Sequence, residues 1–193
     1  MKGVEPSGAT PLDPDEEEGL RLTHIQTRGE LNAAEQENIA AAVTWLESAR
    51  IRKRFDRELV WELHAKMFGE VWDWAGAPRT SLKNIGVLPE RIRIDIAELM
   101  SNTDHQIESK ALPMREIAAR FHHRLVSIHA FPNGNGRHAR LLTDHLCRTQ
   151  QHSVPTWSDN DLQRDGQARD TYIRSLKTAD RGNIDQLETF MWN

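Results

Sequence analysis

His129-Ala130-Phe131-Pro132-Asn133-Gly134-Asn135-Gly136-Arg137-His138-Ala139-Arg140 is the stretch whose reading decides the fold. It joins two amphipathic segments. Before it, Pro113 suits a first helical turn, and Ile117, Phe121, Leu125 and Ile128 fall on one face. After it, Arg137 to about Gln151 carries Leu141, Leu142 and Leu146 at helical spacing. The turn between them holds Gly134 and Gly136, which permit positive φ and close backbone approach, with Asn135, which tolerates the left-handed region.

A turn of this kind at a helix N-terminus aims unpaired N–H groups and the positive end of the helix dipole at one place, which favours an anion. Arg137 and Arg140 lie three residues apart, so both guanidiniums reach the same oxygens. Two linked phosphates suit such a cradle better than one. His129 ends the preceding helix, and an imidazole with an ordinary pKa near 6.5 suits removal of a proton from a hydroxyl. Phe131 is expected to pack inward without a chemical role.

Working outward, residues 1–19 combine prolines, glycines and the acidic run Asp15-Glu16-Glu17-Glu18 and read as a flexible or loosely docked arm, and 1–31 is expected to be the flexible N-terminal arm. The domain proper is expected over 32–193. Asn32-x-x-Glu35 looks like a capping box for a helix over about 32–48, with Ile39, Val43 and Leu46 on one face. Asp56 opens a second helix over about 56–69. The glycines, Pro78 and short Thr/Ile/Val pieces of 72–87 read as a hairpin or ordered loop. Further helices are expected over about 90–108, 159–178 and 183–191. The fold class is therefore all-α with one small β-hairpin.

Composition excludes several classes. The net charge of −4 gives no basic footprint, so no nucleic acid is expected as partner. The single cysteine, Cys147, forms no internal disulfide and fits a reducing compartment. No run reaches the roughly 20 apolar residues of a membrane span, and the N-terminus lacks a signal-peptide core. A cytoplasmic protein is expected, and a homo-oligomer is compatible with the sequence. His138, His145 and His152 recur every seven residues, but two helical turns separate neighbours by about 10.5 Å, too far for one ion. The tryptophans lie in or beside apolar patterns and read as core.

His129-x-Phe131-x-x-Gly134-Asn135-Gly136-Arg137-x-x-Arg140 resembles the signature of Fic-domain proteins (the Fic/DOC family). The segment from Trp74 to Thr80 resembles the family's flap. Tyr172-Ile173-Arg174-Ser175-Leu176 and Ala179-Asp180-Arg181-Gly182-Asn183 are also similar to Fic domains, so the resemblance covers roughly 32–190. Within the family it is most similar to the short "mobile mystery protein B" type. The resemblance implies a protein adenylyltransferase. His129 would be the general base, and Gly134, Asn135, Gly136, Arg137 and Arg140 would hold the phosphates of ATP. The partner would be a protein whose Ser, Thr or Tyr hydroxyl receives AMP, docked on a flap that includes Arg79, Thr80, Asn84 and Ile85.

The family has Asp or Glu where this chain has Asn133, and that position binds Mg²⁺. Asn133 is thus the candidate metal residue, with a neutral oxygen where the ion prefers an anionic one. The resemblance also implies an inhibitory helix in which Glu37, followed by Asn38, pairs with Arg140, with Ala33 in place of the usual Ser or Thr. Two readings stay open: an enzyme that modifies proteins, from ATP or from another phosphoryl or nucleotidyl donor; and a catalytically weak binding module, toxin-like or an interaction partner, that keeps the fold and the anion site.

Overall fold

The structure, a computed structural model, describes residues 12–157, 162 and 166–193. Within them the order is α1 (Pro14–Glu17), α2 (Arg28–Leu46), α3 (Arg57–Phe68), a 3₁₀ turn (Pro89–Arg91), α4 (Ile92–Ser109), α5 (Met114–Ile128), α6 (Asn135–Thr149), α7 (Gln167–Ala179) and α8 (Asp185–Trp192). Helices α2 and α3 pack together, α5 packs on both α4 and α6, and α3 closes against α6. The main core gathers Leu59, Leu63 and Met67 of α3 with Phe121 and Ile128 of α5 and Leu142 of α6. A second core joins α7 and α8 to Ala119 and Trp157.

Local chemistry explains the boundaries. Asp56 caps α3 by accepting from the Leu59 N–H at 2.9 Å, and is itself held by Arg54. Helix α2 begins earlier than the Asn32 reading predicts. Thr27 and Glu30 form the capping box, the Glu30 carboxylate accepting from the Thr27 N–H at 2.9 Å. The buried face of α2 is Leu31, Glu35, Asn38, Ala42 and Leu46, so two polar side chains face inward. His138 and His145 of α6 tie it to α3 and to the loop before it, pairing with the carbonyls of Val60 at 2.9 Å and Arg54 at 2.7 Å.

Two expectations change. The hairpin over 72–87 is not formed: apart from a single antiparallel bridge between Leu20 and Trp72, the segment consists of turns and bends. The arm expected over 1–31 is docked from residue 12 onward. Ile25 and Leu31 are buried, and the Asp73 N–H bonds the Gly19 carbonyl at 2.9 Å. Its acidic residues meet a buried cation, since Lys83 bonds Asp13 and Glu16 with its own side chain only 3% exposed. Residues 1–11 of the arm lie outside the described residues, as do 159–161 and 163–165 of the helix expected over 159–178, which here runs from Gln167 to Ala179.

Candidate active site

The site is built where α5 ends and α6 begins. His129 terminates α5 in the left-handed region, at φ 52°, a conformation uncommon for a residue with a side chain. Its carbonyl is held by Arg79 Nε at 2.7 Å, and Arg79 also donates to the carbonyls of Ser81 at 2.6 Å and Val87. Backbone bonds from the Arg79 N–H to Ala130 O and from the Val87 N–H to Ile128 O complete the fastening. Arg79 thus lashes the 79–87 segment to the end of α5 without any strand pairing. Gly86 is required in that contact, because a Cβ there would lie 2.8 Å from the Cβ of His129.

The His129 ring belongs to a residue only 6% exposed, and neither nitrogen has a hydrogen-bond partner among the described residues. Burial first, then the cations of Arg79 and Lys83, push its pKa from 6.5 down to about 4. The imidazole is therefore neutral at physiological pH, with a lone pair on one of its nitrogens.

Across from it, Gly134 caps α6 at φ 78°. No other residue fits, since a Cβ would meet the Phe68 ring at 2.6 Å. Asn135 braces the loop. Its side-chain oxygen accepts from the Phe131 N–H at 2.9 Å, and its amide donates to the Phe131 carbonyl at 2.7 Å. Phe131 is fully buried and stacks on the His64 ring at 3.6 Å. What the loop offers an anion is then the N-terminal backbone of α6, its dipole, and the two arginines.

Both arginines are engaged. Arg137 Nη1 bonds Glu35 of α2 at 2.5 Å, and Glu35 also accepts from Trp72 Nε1 at 2.7 Å. Arg140 lies 5.8 Å from the Tyr172 ring, and burial lowers its pKa. Tyr172 in turn bonds His122 at 2.9 Å, so α7 backs the second arginine.

The residues expected from the sequence therefore divide. His129, Gly134, Asn135, Gly136, Arg137 and Arg140 stand on the two helix ends that frame the site. Thr80, Asn84 and Ile85 are exposed on the 79–87 segment, whereas Arg79 is 3% exposed and turned to its own chain. Glu37 is exposed on α2; the carboxylate that reaches the loop is Glu35, two residues earlier, and its partner is Arg137. By sequence alone Glu35 reads as a helix cap, and no local pattern marks His64.

Asn133 does not fit a cation as placed. Its side-chain oxygen accepts from the Gly134 N–H at 2.5 Å and faces Arg137 Nη2 at 3.4 Å, so a divalent ion there would meet a guanidinium and a neutral oxygen. Among the described residues, no group of three or more His, Cys, Asp or Glu could hold a metal. No helix among them is long and apolar enough to cross a membrane.

In an all-helical fold, a neutral, buried histidine thus stands against a glycine-capped, arginine-bearing helix N-terminus, an arrangement that favours an anion. Residues 54–147 of the chain match the Fic/DOC family. It is 32% identical over 131 residues to a protein named protein adenylyltransferase Fic from Drosophila grimshawi, covering 64% of this chain and 25% of that relative. The chain thus spans about a quarter of that protein's length. Its fold matches the N-terminal Fic domain of Bep8 from Bartonella sp. 1-1C, with TM-score 0.71, 14% identity and 88% and 87% of the two chains covered. It also matches BepC from Bartonella tribocorum, solved with bound AMPPNP, with TM-score 0.68, 17% identity and coverage of 93% and 96%.

Proposed function

We propose that this chain is a protein adenylyltransferase, moving AMP from ATP to a Ser, Thr or Tyr hydroxyl of a protein. The observation that carries the reading is His129, buried, neutral and without a partner among the described residues, beside the N-terminal end of α6. The hydroxyl oxygen would attack the α-phosphorus of ATP. The new O–P bond forms as the bond to the β-phosphate oxygen breaks, pyrophosphate leaves, and the hydroxyl proton passes to His129. The N-terminal turn of α6, Arg137 and Arg140 would stabilise charge developing on the phosphate oxygens. The exposed Thr80, Asn84 and Ile85 would meet the target, while Arg79 holds their segment in place.

Glu35 fits a restraint on this reaction. While it pairs with Arg137, that guanidinium is shared between a carboxylate and any phosphate. The inhibitory role that the resemblance suggests for Glu37 and Arg140 falls more naturally to Glu35 and Arg137. The second reading, a weakly catalytic nucleotide-binding module, draws on one observation: the Asn133 amide sits on the Gly134 N–H and beside Arg137, where a ligand oxygen would compete. ATP labelled at the α-phosphate, compared with ATP labelled at the γ-phosphate, separates the possibilities. AMP transfer labels protein from the first only; label from the γ-position indicates a different donor group, and binding without label indicates the module.

A further inference from the structure

The flat ring of His64 lies beneath the phosphate loop, wholly buried in α3. It touches two separate parts of the site. The Gly76 N–H donates to its Nδ1 at 3.0 Å, and its Nε2 lies 3.1 Å from the Asn133 carbonyl oxygen. A backbone N–H can only donate, so Nδ1 must be the acceptor. The proton of the neutral ring is then on Nε2, and it is given to the Asn133 carbonyl. Stacking on Phe131, at 3.6 Å and 14° between planes, fixes the plane of the ring, and the two hydrogen bonds fix which way round it lies. Burial, His138 and Arg137 all hold the ring neutral by lowering its pKa well below 6.5.

The consequence lies in the next peptide unit. No peptide bond of the described chain is cis, so the Asn133 carbonyl and the Gly134 N–H point in opposite directions within one peptide plane. Holding the carbonyl down on His64 turns the Gly134 N–H up, and it is found on the Asn133 side-chain oxygen, in the region where Arg137 Nη2 also points. The backbone alone does not choose this orientation. Gly134 takes either sign of φ at similar cost, so the 133–134 plane can turn over locally. Turned over, it would set a carbonyl oxygen, rather than a donor, among the groups meant for phosphate.

We infer that His64 is a positioning residue of the phosphate site: as an Nε2–H donor to the Asn133 carbonyl it fixes the 133–134 peptide plane so that the Gly134 N–H points to the side of the loop where Asn133 Oδ1 and Arg137 lie, the side on which phosphates would be held. The same ring fastens Gly76, at the start of the segment that carries Thr80 and Asn84, so one side chain sets both borders of the site. The inference rests on the reading of this loop as a phosphate cradle, but the plane itself can be observed without any ligand.

The test is a crystal structure of His64→Phe together with pyrophosphate titration of wild type, His64→Phe and His64→Gln. Phenylalanine keeps the stack on Phe131 and removes the donor; glutamine keeps a donor. The expected result is a turned 133–134 plane and about tenfold weaker pyrophosphate binding in His64→Phe, with affinity recovered in His64→Gln. An unturned plane, or a folded His64→Phe that binds as wild type does, overturns the inference. If His64→Phe does not fold, ¹⁵N NMR of the wild-type imidazole decides: a single neutral Nε2–H form between about pH 5 and 8 supports it, and an Nδ1–H or charged ring overturns it. If wild type binds pyrophosphate but transfers no AMP, the proposed reaction fails while the role of His64 stands.

Discussion

Glu35 and Arg137 form a buried ion pair across 102 positions of sequence, their side chains 6% and 16% exposed, joining α2 to the first turn of α6. Because Trp72 Nε1 holds the other carboxylate oxygen, the pair is anchored on both sides. A buried pair of this kind adds little net stability over apolar packing, yet it decides what else the guanidinium can bind.

Removing that carboxylate should release Arg137 to phosphate. Glu35→Gly is expected to raise self-labelling from α-phosphate-labelled ATP by about tenfold or more, and Glu37→Gly to leave it unchanged. The two variants are compared by label incorporated per minute. A rise with Glu37→Gly and none with Glu35→Gly would reverse the assignment.

Helix α3 is legible in the sequence because Asp56 caps it by an ordinary rule, and the 129–140 loop because its glycine and arginine spacing is local. Glu35 is not, since a glutamate on a helix reads as solvated or capping, and only the turn of α2 against Trp72 and Arg137 makes it interior. The hairpin reading fails for a related reason. Glycine, proline and short β-branched pieces announce a turn-rich segment, but its partner is the Arg79 guanidinium, a long-range side-chain contact that no local pattern carries. The docking of the acidic arm likewise depends on Lys83, 67 to 70 positions away.

Arg79 is expected to act on stability before activity. Arg79→Lys keeps the charge but not the fork that reaches the carbonyls of His129, Ser81 and Val87. It should cost roughly 2–4 kcal/mol in urea unfolding and speed hydrogen exchange at the Val87 amide. Unchanged exchange there would contradict the fastening role.

The buried histidines set the acid response. His122, His129 and His138 are lowered from 6.5 to about 3, about 4 and about 4, mainly by burial, and His64 and His145 move the same way. Between those values and 6.5 the unfolded chain binds more protons, so the stability these groups contribute is present above pH 6.5 and is lost as pH falls towards 4. Asp144, raised by burial to about 6, and Asp104, raised by burial and then by Glu108, oppose this: they stabilise at low pH and lose that contribution as pH rises through their raised values. Asp13, Glu30 and Asp56, lowered chiefly by their hydrogen bonds, lose stability in the same direction as the histidines as pH falls, so acidification gives a net loss, read as a falling urea midpoint. The transfer rate should keep its base down to about pH 5, one unit above the His129 value.

Asn133→Asp tests the metal question. A carboxylate in this position supplies the anionic oxygen that the amide lacks, and ATP binding should become Mg²⁺-dependent by about tenfold more than in wild type. Titrations with Mg²⁺ and with EDTA measure it; identical metal dependence in both proteins would show that residue 133 is not the metal position.

The most direct measurement of the central claim is label transfer from α-phosphate-labelled ATP by wild type and by His129→Ala, each with Glu35→Gly to free Arg137. The protein that keeps His129 should label protein, and His129→Ala should reduce that label to background while still binding ATP. Equal labelling by the two proteins would contradict the assignment of His129 as the base.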